Sequence, residues 1–68
     1  MSPNEQLRHL RQTSGHSAAW CATHVGAVNL RTWQYWENGH RKSYPVHVPE
    51  DVMERMERLA AAVTAALA

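Results

Sequence analysis

Apolar residues recur along this chain at helical spacing from one end to the other. Pro3-Asn4-Glu5 opens a helix that runs to about Thr13, with Leu7 and Leu10 three apart on one face. Ser14-Gly15 stops it. Ser17 is placed to cap a second helix, Ala18 to about Val25, whose inward stripe is Cys21, Ala22 and Val25. Gly26 reads as a left-handed C-terminal stop, a conformation that glycine adopts without steric cost. Asn29 caps a third helix, Leu30 to about Glu37, with Trp33 and Trp36 turned inward and Asn38-Gly39 closing it. Residues 40–49 hold Pro45 and Pro49 with valines between them, which predicts an extended connector and no strand. Pro49-Glu50-Asp51 begins the last helix well, because proline suits the first turn and carboxylates suit the helix dipole. Val52, Met56, Leu59, Val63 and Ala66 then follow at spacings of 4, 3, 4 and 3, a heptad-like seam, with Met53, Ala60 and Leu67 on a second apolar line. The expected fold is all-α, a small single domain of four to five helices. Its parts are a core over residues 1–44, an extended connector over 45–49 and a C-terminal helix over 50–68.

Composition narrows the role. Sixty-eight residues allow one small core, so self-association is a natural source of extra stability. The formal charge of +1 does not by itself point to nucleic acid. Its distribution says more. Residues 1–49 carry five basic against two acidic side chains, whereas residues 50–68 carry two against four. A basic body with an acidic tail fits nucleic-acid contact at one end and a different task at the other. The single cysteine excludes an internal disulfide and fits a reducing compartment. No apolar run approaches a membrane span and the polar start lacks a signal-peptide layout, so the expected location is the cytoplasm.

The two short helices joined at Gly26 form a device for laying the second of them in the DNA major groove. Leu7-Arg8-His9-Leu10-Arg11, Gly15, Ser17, Cys21-Ala22, Gly26 and Trp36-Glu37-Asn38-Gly39, taken in order, resemble the Cro/repressor-type helix-turn-helix family over about residues 5–42. One departure stands out: the turn Gly26-Ala27-Val28-Asn29 is one residue longer than the usual Gly-Val-Ser. That longer turn, with Arg31-Thr32-Trp33-Gln34-Tyr35-Trp36-Glu37 and Val48-Pro49, is similar to the anti-CRISPR-associated regulators of phages and mobile elements. The resemblance implies a homodimer that binds an inverted repeat and represses the promoter of an anti-CRISPR operon. Some members of that group carry a larger C-terminal dimerisation domain; here one helix is left for the task.

The family pattern carries base-reading positions onto Leu30, Arg31 and Tyr35, and helical geometry adds Gln34, because all four lie opposite Trp33 and Trp36. Arg31 can fork onto guanine, Gln34 can bridge adenine and Leu30 can meet a thymine methyl. Tyr35 has a phosphate as its alternative partner, and a plain solvated face is the competing reading of Arg31 and Gln34. Such folds commonly grip phosphate just after the recognition helix, here Asn38, Gly39, His40, Arg41 and Lys42, although Arg41 and Lys42 also read as a solubilising pair. Ser17 and Ala18 begin helix two, whose free N–H groups suit an anion. The family pattern also pairs Arg11 on helix one with Glu37 on helix three, which makes Glu37 architectural rather than catalytic.

Other chemistries find little support. Cys21 and His24 sit three apart, but no second pair completes a four-ligand zinc site, and Cys21 falls on an apolar stripe; no metal or other cofactor is expected. No carboxylate pair, nucleophile–base arrangement or phosphate loop appears, so an enzyme is not expected. Tryptophans among basic residues can stack single-stranded bases, yet Trp33 and Trp36 have core spacing. Trp20 lies off the main stripe and fits either packing under the C-terminal segment or a dimer contact. One recognition helix reads few base pairs, so specificity calls for a two-fold dimer, and the seam of Val52, Met56, Leu59 and Val63 is the candidate surface; packing of that seam on the chain's own core is the alternative. The expected function is sequence-specific repression by a homodimer on double-stranded DNA, with no small-molecule effector evident. The rivals are an antitoxin-like or scaffold module that binds protein, and an RNA-binding translational regulator.

Overall fold

Helix α1 spans Pro3–Ser14. Ser2 caps it: its Oγ accepts the Glu5 N–H at 3.2 Å and donates to the Glu5 carboxylate at 3.1 Å, a reciprocal start at which Pro3 has no N–H to strand. Gly15 ends it at φ 77°, with its N–H on the Gln12 carbonyl. The computed structural model describes residues 1–67 and shows a mostly helical domain of four α-helices with one small hairpin.

Helix α2 is a single turn, Ala18–Cys21, capped by Ser17, whose Oγ accepts the Trp20 N–H at 3.1 Å. It does not continue as α-helix to Val25. The chain widens into a π-helical turn over Ala22–Gly26, and the Val28 N–H reaches back to the Ala22 carbonyl at 2.9 Å. A π turn takes up one additional residue, which accommodates the long turn within helical hydrogen bonding. Gly26 is not the left-handed residue expected there. Ala27 takes that conformation, at φ 53°. Gly26 is small for a different reason: a Cβ on it would lie 3.0 Å from Trp36 Cζ3 and 3.3 Å from Trp33 Cε3. The two tryptophans press on the turn, and a methyl group there fits only if they give way by a few tenths of an ångström.

Helix α3, Leu30–Asn38, begins at Asn29, whose Oδ1 accepts the Thr32 N–H at 2.8 Å, and ends at Gly39 with φ 89°. The residues after it correct the expectation of no strands. His40–Arg41 (β1) pairs antiparallel with Tyr44–Pro45 (β2), His40 opposite Pro45 and Arg41 opposite Tyr44. Left-handed Gly39 turns the chain out of α3, Lys42 at φ 57° reverses it, and the Val46 N–H closes on the Gly39 carbonyl at 3.0 Å. Proline sits at the end of the short edge strand, where its missing N–H costs no ladder bond. The extended connector therefore reduces to residues 46–49.

Helix α4, Glu50–Leu67, lies mainly along α1 and touches the π turn. Leu7, Cys21, Ala22, Val25, Trp33, Trp36, Val52 and Met56 form the core, with every helix contributing. Arg55 adds a polar tie by donating to the Val25 carbonyl at 3.0 Å, an acceptor left over at the end of the π turn. Val52 and Met56 face this core, Leu59 and Val63 are half-buried, and no described residue of α4 beyond Ala60 is buried. No described helix is long and apolar enough to cross a membrane.

Candidate nucleic-acid interface

The outer face of α3 is built by what its inner face must do. Trp33 is fully buried and Trp36 nearly so, their rings 5.6 Å apart and tilted at 59°. Anchoring these two residues turns positions 30, 31 and 34 outward by helical periodicity. Leu30 is 41% exposed, Arg31 and Gln34 are exposed, and Tyr35 is half-buried. An exposed leucine beside two forked hydrogen-bonding side chains has the makings of a base-edge reading surface.

Glu37 holds this helix in place. Its carboxylate is 7% exposed and accepts Arg11 Nε at 2.7 Å, Arg11 Nη2 at 3.1 Å and the indole N–H of Trp33. Arg8 adds a longer approach at 3.7 Å and donates to the Glu37 carbonyl and to Asn38 Oδ1, each at 3.4 Å. A buried carboxylate is tolerable only when its oxygens are satisfied, and here three N–H groups meet them. The hydrogen bond to Glu37 raises the Arg11 pKa despite the opposing pull of burial. The linkage between helix one and helix three that the sequence suggested is thus a three-residue arrangement with Trp33 as its third member.

Asn4 was not singled out by the sequence. Its Nδ2 donates to the Trp36 carbonyl at 2.7 Å and the Val46 carbonyl at 3.0 Å, joining the first turn of α1 to the end of α3 and the exit of the hairpin. Its side chain also lies 3.3 Å from where a Cβ on Gly39 would stand. An asparagine near a helix start reads as a local capping residue, so no sequence signal pointed to contacts 32 and 42 positions away.

The hairpin returns along the same side as α3. The Arg41 guanidinium lies over the Tyr35 ring, 5.5 Å from its centroid, which joins the outer face of α3 to the basic segment through a cation–π contact. Asn38, His40, Arg41 and Lys42 are exposed. Ser17 is exposed and Ala18 half-buried at the start of α2, where the Ser17 hydroxyl is engaged in capping.

The remaining candidates fall elsewhere. Cys21 is fully buried, and burial pushes its thiol pKa up, which keeps it protonated and unreactive. His24 is exposed and stands beside Trp20, 4.6 Å between ring centroids. Among the described residues no group of three or more His, Cys, Asp or Glu side chains is placed to hold a metal ion. Trp20 is half-buried at the edge of the core, with the His16 ring stacked on it at 3.6 Å and 9°.

No family model and no solved structure matches the chain. The chain is similar to the Aca2 repressor of Pectobacterium phage ZF40, 37% identical over 57 residues. The match takes in 84% of this chain and 45% of the relative, so the chain spans less than half of the length of that protein. It covers enough of the chain to include most of the helical core and the α3 face. Over most of its own length the chain is thus homologous to the Aca2 repressor, an anti-CRISPR-associated helix-turn-helix regulator.

Proposed function

We propose that the protein is a sequence-specific DNA-binding repressor that acts as a homodimer on an inverted repeat in a promoter, and that it autoregulates an anti-CRISPR or similar mobile-element operon. The observation that carries this reading is the outward set on α3. Leu30, Arg31, Gln34 and Tyr35 face away from the core on a helix anchored by Trp33 and Glu37, with Arg41 and Lys42 beside them. Arg31 and Gln34 read base edges, Leu30 meets a thymine methyl, and Tyr35 contacts a base or the adjoining phosphate. Asn38, His40, Arg41 and Lys42 hold phosphates on one side of the groove, and the Ser17–Ala18 end of α2 holds one on the other. The name of the relative supports the repressor assignment. Repression follows from occupying the stretch that RNA polymerase needs.

The second copy comes through α4. Its first half is committed to the core by Val52, Met56 and Ala60, with Leu59 packed partly against it, whereas Val63 is only half-buried and Leu67 is 82% exposed. Pairing of this end across a two-fold axis presents two α3 helices about one DNA turn apart, roughly 34 Å.

A nuclease footprint on the DNA upstream of the chain's own gene tests the reading. A protected pair of inverted half-sites is the expected result. Equal binding to that DNA and to an unrelated duplex overturns the assignment, and a preference for the structured transcript over the duplex replaces it with RNA regulation.

A further inference from the structure

The hairpin carries a feature that no phosphate contact uses. Tyr44 is 71% exposed, and Arg41, Lys42, Tyr44 and Val46 line an open hollow. Its lining is almost wholly apolar, although two of the four residues that form it, Arg41 and Lys42, are cationic. An apolar hollow formed partly by cationic side chains fits a largely apolar ring flanked by anions. In duplex DNA that unit is a deoxyribose between two phosphates.

The position of the hollow agrees with its chemistry. Arg41 spans the hollow and the α3 face, since the same guanidinium lies over Tyr35. The hairpin cannot swing freely from α3, because Asn4 holds both the Trp36 and the Val46 carbonyls and Val46 is bonded to Gly39. A duplex seated on α3 therefore brings its sugar–phosphate backbone to the hairpin in a set register.

We propose that the hairpin is a second DNA-contacting element, in which Tyr44 packs on a deoxyribose while Arg41 and Lys42 hold the flanking phosphates. This rests on the DNA-binding reading of α3. It adds a non-ionic contact to a region otherwise assigned to charge. Such a contact strengthens binding to every sequence and releases no counterion.

The test is affinity for the duplex upstream of the chain's own gene, measured against salt concentration, for the parent protein, Tyr44→Ala, Tyr44→Phe and Arg41→Ala. Tyr44→Ala should weaken binding about tenfold at every salt concentration with an unchanged salt slope. Tyr44→Phe should bind like the parent. Arg41→Ala should instead lower the slope by about one unit. Far-UV circular dichroism checks that Tyr44→Ala keeps its helices, as a side chain this exposed should allow. If Tyr44→Ala binds as tightly as the parent, or if its slope falls with Arg41→Ala, the inference is overturned while the α3 reading stands. If the parent itself does not bind the duplex, the α3 reading fails and takes the inference with it.

Discussion

Arg31 and Glu37 lie six residues apart on one helix and answer to different physics. The Arg31 side chain is exposed and makes no hydrogen bond among the described residues, so its truncation leaves the fold intact. Arg31→Ala should cost roughly 1–3 kcal/mol of operator binding and relax selectivity at one base pair, read by titrating single-base operator variants. Unchanged affinity shows that the outward face of α3 is not the reading face. Glu37 is the reverse case. Glu37→Ala leaves the Trp33 indole N–H buried without an acceptor and Arg11 without its carboxylate. Loss of one partner from a fully buried pair costs about 3–5 kcal/mol; here the expected loss is about 2–3 kcal/mol, because Arg11 keeps 23% of its side chain in water. Urea unfolding measures it. For a domain this small that is a large part of the total stability. The arginine–glutamate pair was legible from the family pattern. The indole was not, since a tryptophan at core spacing says nothing about which way its N–H points.

Among the elements, the hairpin and the π turn separate local sequence from its context. The starts of α2 and α3 were legible because each depends on one side chain within three residues, Ser17 with Trp20 and Asn29 with Thr32, while Ser2, which caps α1 through Glu5, was not singled out. The hairpin was not legible. Two residues per strand leave no alternation to detect, and its closure depends on Asn4 from the other end of the domain. Asn4→Ala removes two hydrogen bonds and should lower stability by about 1–2 kcal/mol in thermal or urea unfolding. It should also weaken DNA binding, and combined with Arg41→Ala the two losses should fall short of additive, since Asn4 acts on DNA by aiming the hairpin. Full additivity would show that Asn4 has only a structural role. Gly26 makes the same point. Glycine after a helix suggests a left-handed cap, yet the contact that favours it is with Trp33 and Trp36.

As a whole the molecule measures 41 × 24 × 17 Å, an elongated form in which the described end of α4 has no buried residue after Ala60. Seven core positions between Leu7 and Met56, together with Cys21, close one small core, and the heptad-like seam is shared between that core and the surface. Val63→Glu should leave the core untouched, shift the protein toward monomer in sedimentation, and weaken binding to the full inverted repeat by at least about tenfold while sparing a half-site. A variant that remains dimeric would place the interface elsewhere. The helices, the capped starts of α2 and α3, the inward tryptophans and the outward position of residues 30, 31 and 34 were all present in the residue pattern. Each follows from 3.6-residue periodicity and from bonds that close within a single turn. The third donor to Glu37, the role of Gly26, the Asn4 bridge, the hairpin and the division of the α4 seam came only with the folded chain. The Asn4 bridge joins residues 32 and 42 positions apart, and even the nearer pairs, Trp33 with Glu37 and Gly26 with the two tryptophans, are set by how the whole chain packs, which no local pattern records.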